Sequence, residues 1–395
     1  MDQQNRPFTL KEKHLNTIKK HKKRSVKDSL IALAVCIAII ASYQLMSHTY
    51  SSGAPSEPQD PSADDSLLSV SMVGDIMLGR GVEKVTSRHG LDYPFEHAAP
   101  LFEQTDVVTG NFEHPVLVHN EEAYEEDKLD KSILLHAGTE AVEAVKNAGF
   151  TTINLANNHM ADYGSAGLFD TLDVFKEADI PTVGAGINLD DAREIAYEDV
   201  NDLTVATLGF NDAYMPNEDR TASLYKEGVT PLDPEYVIPD IKEAADNADF
   251  VMVHVHWGEE YDSSVHPRQR EMAHAMVEAG ADLIIGHHAH VLQPIEIHEE
   301  AVIAYGLGNF VFDQGWSMTR ETAILQYRLF EESIQLEVHP MYIEESQPRQ
   351  VTSRYREEKI YSQMTGDVLF GQNFNDEWQR EDGKLVREIE RQAGK

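Results

Sequence analysis

The chain has a single cysteine, Cys36, among 395 residues. One thiol cannot build an intrachain disulfide framework, so the fold must be held by its own core, which a chain of this length can supply. Basic side chains are also scarce. The sequence sets 33 Lys and Arg against 68 Asp and Glu, for a net charge of −35. Residues 1–27 hold nine of the basic residues against only Asp2 and Glu12, a local +7 that leaves −42 for residues 28–395. A body this acidic lacks the basic face that phosphate contacts need, which excludes nucleic acid as a partner. It suits a solvated surface in a salty or alkaline exterior.

Long apolar runs are missing, with one exception. Residues 30–46, LIALAVCIAIIASYQLM, form a stretch of 17 in which only Ser42 and Gln44 are strongly polar. That is the short end for a membrane-spanning helix, which needs about 20 residues. A buried core helix is disfavoured by the flanks, KKHKKRSVK before and TYSSGAPSEPQDPSADDS after. No small-x-small cleavage site follows, and LAVC at 33–36 matches a lipidation box only loosely because Val35 is bulky. The positive-inside rule therefore predicts a cytoplasmic tail at 1–28, a transmembrane anchor at 29–47, a flexible linker at 48–66 and a body outside the cell membrane.

From residue 67 short apolar strands alternate with amphipathic helices, which predicts an α/β layered domain with mixed sheets over 67–342. Residues 343–395 are polar and weakly patterned, and read as a C-terminal appendage.

Polar residues fall at one kind of place. Asp75, Glu113, Asn158 with His159, His256, and His288 with His290 each lie just past a different apolar strand. Sites in α/β sheets gather beyond the carboxyl ends of strands. Oxygen and nitrogen donors without thiolate suit Mn, Fe, Zn or Mg. In GHHAH, an extended backbone would point His288 and His290 the same way and His287 elsewhere. Parity does not separate His254 from His256; His256, beside Trp257-Gly258, is the favoured ligand. In NLANNHMADYG, the Asn158 amide oxygen can ligate while His159 supplies a proton, with Asp162 and Gly164 forming the turn.

The segments SMVGDIMLGRGVEKV, GNFEHP, NLANNHMADYG, HWGEEYD, GADLIIGHHAHVLQPIE and YGLGNFVFDQGW, in this order, resemble the CapA/PgsA family of poly-γ-glutamate capsule biosynthesis. The resemblance implies a calcineurin-like metallophosphoesterase relative: a four-layer α/β/β/α sandwich with a two-metal site between the sheets, preceded by one transmembrane helix. It implies Asp75 and His290 at a first metal, Glu113 (with Asn111) at the bridging position, Asn158, His256 and His288 at a second, and His159 as the catalytic acid. One or two divalent ions are the expected cofactors. The expected partners are the membrane subunits of the poly-γ-glutamate synthase, the polymer and the membrane. Three activities follow: an accessory subunit, a metal-dependent hydrolase of a phosphoester or of the polymer, or a metal-free scaffold. The wider phosphoesterases begin with Asp-x-His, whereas Met77 stands two residues after Asp75 here, leaving the first site a ligand short.

Overall fold

The structure, a computed structural model, describes residues 9–49, 65–213, 220–366 and 377–391. The chain divides into two units, Met1–Glu57 and Pro58–Lys395. The first contains the helix Leu10–Thr49, which covers the expected anchor. Among the described residues no helix is long and apolar enough to cross a membrane. Most side chains of the 30–46 run, and residues 50–64 of the expected linker, lie outside the described residues.

The second unit is built on two mixed sheets. The ten-stranded sheet has at its centre the parallel strands Leu68–Ile76, Val107–Phe112 and Thr152–Asn154, with the antiparallel strands Glu321–Leu329 and Ser333–Glu344 continuing it on the other side. The six-stranded sheet runs Ile295–His298, Ala301–Ala304, Leu283–His287, Phe250–His256, Leu203–Asn211, Ala196–Val200. Strand side chains alternate between two faces, and that alternation sorts the apolar residues into separate cores. Phe250, Met252, Leu283 and Ile285 join Val70, Met72, Leu325 and Leu336 in a core between the sheets. The intervening Val251, Val253, Val255 and Ile284 pack instead with Ile241, Ala244, Met272 and Met276 of the helices Pro234–Asn247 and Pro267–Ala279. On the far side Val73, Val108 and Ile153 pack against Val142, Val145 and Phe175 of Glu140–Asn147 and Gly164–Glu177. Three cores separate four layers, helix, sheet, sheet, helix.

Two local devices place polar groups in the gap between the sheets. Leu68, Val70 and Met72 face that gap, and unbroken alternation would turn Asp75 toward the helices. The register slips between Met72 and Asp75, where three steps on this strand match two from Thr109 to Asn111. The added residue is a β-bulge, which re-aims Asp75 into the gap. Gly74 sits in the bulge because a Cβ there would lie 1.9 Å from the Gly308 carbonyl oxygen. The second device is a change of sheet. Ala301–Ala304 belongs to the six-stranded sheet, while Asn309–Val311 pairs with Leu68–Ile76 in the other, with Asp75 opposite Asn309. The turn between them needs Gly308 at φ 65°.

The expected boundary at 342 falls inside the Ser333–Glu344 strand. Beyond it, Lys384–Glu390 pairs with that strand, and the helix Arg354–Met364 sends Ile360, Tyr361 and Met364 into the inter-sheet core. The segment expected as an appendage is part of the body.

Candidate metal centre

Strict alternation delivers most of the site. Along Val107–Phe112 and past it, Thr109, Asn111 and Glu113 share the inter-sheet face, while Val108 and Phe112 join the helix-side core. On Phe250–His256, His254 and His256 continue the face of Phe250 and Met252. His287 continues the face of Leu283 and Ile285.

Two groups of ligand atoms result. Asp75, Glu113 and His290 form one, and Glu113, His256 and His288 the other; in each the three ligand atoms lie within 4.8 Å of one another and every residue is buried. Glu113 belongs to both. Its Oε1 is 3.7 Å from Nε2 of both His256 and His290, yet neither of its oxygens has a hydrogen-bond partner. A buried ionised carboxylate without partners costs several kcal/mol, so Glu113 must be protonated or bound to a cation. Burial and then the charge of Asp75 push its carboxyl well above the usual range. Burial would raise Asp75 as well, but the hydrogen bond and charge of His290, with His287 and Asn111, bring it below its ordinary value. His290 is opposed by its burial, but the carboxylates of Glu113 and Asp75 lift it to about 9. His288 is held down to about 3 by burial and by His290, and His256 well below its usual value by burial and its imidazole neighbours. Nδ1 of His288 is buried without a partner. Two carboxylates, three imidazoles and orphaned buried atoms facing one another are a donor set that could hold a divalent cation.

Supporting amides orient these donors. Asn111 Nδ2 lies 2.9 Å from Asp75 Oδ1 and 3.2 Å from His256 Nδ1, and its Oδ1 accepts from Nδ2 of Asn154 at 2.9 Å and of Asn157 at 3.2 Å. Its bonding capacity is thereby spent, so Asn111 positions ligands and does not share the bridging place with Glu113. Asn309 Oδ1 takes Nδ1–H of His290 at 2.8 Å and leaves Nε2 toward Glu113. Asn158 Oδ1 is 3.1 Å from His256 Nε2, within reach of the second group. His159 belongs to neither group. Its Nδ1 pairs with Asp162 Oδ2 at 2.6 Å, and Asp162 is held in turn by Lys131 Nζ at 2.5 Å and by the Leu135 amide at 2.8 Å.

Two expectations about the histidines are corrected. The strand ends at His287, and His288 and His290 have φ of 85° and 55°, so the segment is not extended and parity does not apply. Both still reach the centre, one to each group. His287 does not point elsewhere: its Nδ1 is 3.6 Å from Asp75 Oδ1 and its Nε2 3.0 Å from His254 Nδ1. His254, also bonded to Thr109 Oγ1 at 2.9 Å, lies one step deeper than His256 and supports the site from behind. Met77 is buried in the helix-side core and offers the centre nothing.

The sequence model of the family described as "Bacterial capsule synthesis protein PGA_cap" matches residues 69–314, which contain every residue named above for the centre. The chain belongs to this family. It is 43% identical over 385 residues to "Capsule biosynthesis protein CapA" of Bacillus anthracis, covering 96% of this chain and 90% of that protein. It is 42% identical over 384 residues to "PGA biosynthesis protein CapA" of Bacillus subtilis (strain 168), covering 96% of each. Among solved structures, a hypothetical protein from Thermus thermophilus aligns at 13% identity and a TM-score of 0.41, covering 71% of this chain and 96% of that one. That likeness is too loose to carry an argument about chemistry. In this PGA_cap chain, sequence reasoning gave Asp162 a turn and missed its pairing with His159, although HMAD places the two three residues apart. It missed Asn309 altogether, since that residue acquires meaning only through the change of sheet.

Proposed function

We propose that this chain is a membrane-anchored, extracytoplasmic component of poly-γ-glutamate synthesis whose strand-end centre holds one or two divalent ions. Near full-length similarity to two proteins named for capsule and PGA biosynthesis supports the pathway. The anchor rests on the apolar run 30–46 behind the +7 tail. The observation that carries the metal reading is Glu113, shared by two groups of ligands and bonded to nothing else.

Asp75 and His290 would hold one ion with Glu113, and His256, His288 and Asn158 the other. Bound there, the ions supply Lewis-acid polarisation of a scissile phosphoester or amide. The chain's own contribution to proton transfer is the His159–Asp162 pair. Burial lowers His159 below its ordinary value against the opposing pull of Asp162, so the imidazole is neutral at pH 7. With Nδ1–H given to Asp162, Nε2 carries a bare lone pair. His159 would therefore take at Nε2 the proton released by the attacking water and deliver it to the leaving group, with Asp162 and Lys131 fixing the ring throughout.

The test is His159→Asn. The variant is expected to keep its metal and fold while losing about 10²–10⁴-fold in hydrolysis, with altered polymer yield or chain length in cells. Unchanged polymer from a folded, metal-loaded variant that hydrolyses nothing would leave the accessory-subunit reading standing alone.

A further inference from the structure

The edge strand Ile295–His298 of the six-stranded sheet carries a second set of metal-capable side chains, unrelated to the strand-end centre. Ile295 and Ile297 pack toward the inter-sheet core, so Glu296 and His298 lie on the opposite, helix-covered face. There they meet His274 of the helix Pro267–Ala279. His274 Nε2 is 2.9 Å from Glu296 Oε1, the Tyr305 hydroxyl donates to Glu296 Oε2 at 2.8 Å, and the rings of His274 and His298 stack in parallel planes with centroids 3.9 Å apart, so the partly exposed His298 ring must turn out of the stack for both imidazole lone pairs to meet one ion. One ligand atom from each of His274, Glu296 and His298 can be chosen so that all three lie within 4.8 Å.

We propose that His274, Glu296 and His298 form a second metal site, taking a borderline divalent ion of the Zn(II) type. The residue types argue for it. A helix-packed sheet face calls for apolar side chains, and a buried carboxylate there costs several kcal/mol unless something compensates. Two imidazoles and one carboxylate are a donor set that Zn(II) accepts with a fourth position left to water. Mg(II) and Ca(II), which prefer oxygen, are poorly served by it. Glu296 is buried and its second oxygen is fixed by Tyr305, whose phenol Arg270 also bonds one turn earlier on the helix. Such a supported carboxylate is what orients a ligand. His274 and His298 are partly exposed, which gives an ion a way in. A bound ion would tie the helix that leads into Leu283–His287 to the strand that follows the His288–His290 turn. It would thus brace both sides of the segment that supplies two ligands to the strand-end centre.

The site shares no residue with that centre, so the two can be tested apart. Full-length protein is stripped with a chelator and titrated with Zn(II) against a chromophoric competitor, in a His288→Ala/His290→Ala background. About one Zn(II) per chain is expected to remain. Adding His298→Asn, at a partly exposed position that leaves the fold intact by circular dichroism, should weaken it by more than about 100-fold, and Tyr305→Phe by roughly 10–100-fold. Substituted Co(II) should give the visible absorption of a tetrahedral site and lose it with His298→Asn. Absence of Zn(II) binding in the background, or binding that His298→Asn and His274→Gln leave unchanged, would overturn the proposal.

Discussion

At the scale of single residues, Glu113 and His290 govern the centre. Without metal, the Glu113–His290 pair holds a proton that the unfolded chain would release: burial and Asp75 raise Glu113, and with Glu113 ionised the two carboxylates lift His290, against its burial, to about 9. The sign of the effect on stability follows from linkage. A histidine whose folded value lies above its unfolded value of about 6.5 stabilises the fold fully below that pH and loses the contribution as pH rises through about 9. His287 and His288, held down to about 4 and about 3, act at lower pH and in the opposite direction. The chelator-treated protein should therefore lose melting temperature between pH 6.5 and 9. Metal-loaded protein should not, because ligation has already displaced the protons. Parallel melting curves with and without chelator check this; parallel slopes in that window would mean that His290 is not paired as described.

At the scale of elements, the legible part of the sequence was what strict alternation produces. VVTGNFE and FVMVHVH place Asn111, Glu113, His254 and His256 on one face without help from the rest of the chain. What could not be read was each departure from alternation. The bulge at Gly74 inverts the facing of Asp75, and the positive-φ turn at His288 and His290 replaces an extended segment. The run AVIAYGLGNFVF reads as one strand but contributes to both sheets. The tail beyond 342 looked unpatterned because its core residues are scattered: Ile360, Tyr361 and Met364 sit on a polar helix, and Trp378 and Leu385 lie in or beside charged strands. Gly74→Ala follows from the bulge. A methyl group 1.9 Å from a backbone oxygen cannot be relieved by a rotamer change, so the strand must shift. Destabilisation of about 1–3 kcal/mol or more is expected, together with loss of metal through displacement of Asp75. A variant with parental stability and metal content would show that the bulge does not set the site.

At the scale of the whole molecule, charge and sheet geometry each make a claim. The contrast of +7 over residues 1–27 and −42 beyond fits a cytoplasmic tail and an outer body. Protease added to intact protoplasts should digest residues 67–395, and their protection would reverse the proposed topology. A body of that charge also repels a polyanion such as poly-γ-glutamate at long range, a repulsion that salt screens over about 8–10 Å. The acidic surface is therefore no general polymer-binding face, and cations held at the rim of the sheets, as proposed, would be the natural place for a carboxylate chain or phosphoester to engage.

The central claim is that both sheets converge on one metal centre organised by Glu113, and a single substitution tests it. Purified full-length protein is titrated with Mn(II) and the bound ion counted by electron paramagnetic resonance, for the parent and for Glu113→Gln. One or two Mn(II) per parent chain are expected, in keeping with the two groups of ligands. Glu113→Gln, folded by circular dichroism, should lose all of them together, because one carboxylate serves both groups. A folded Glu113→Gln that binds Mn(II) as the parent does, or a parent that binds none, would contradict the claim.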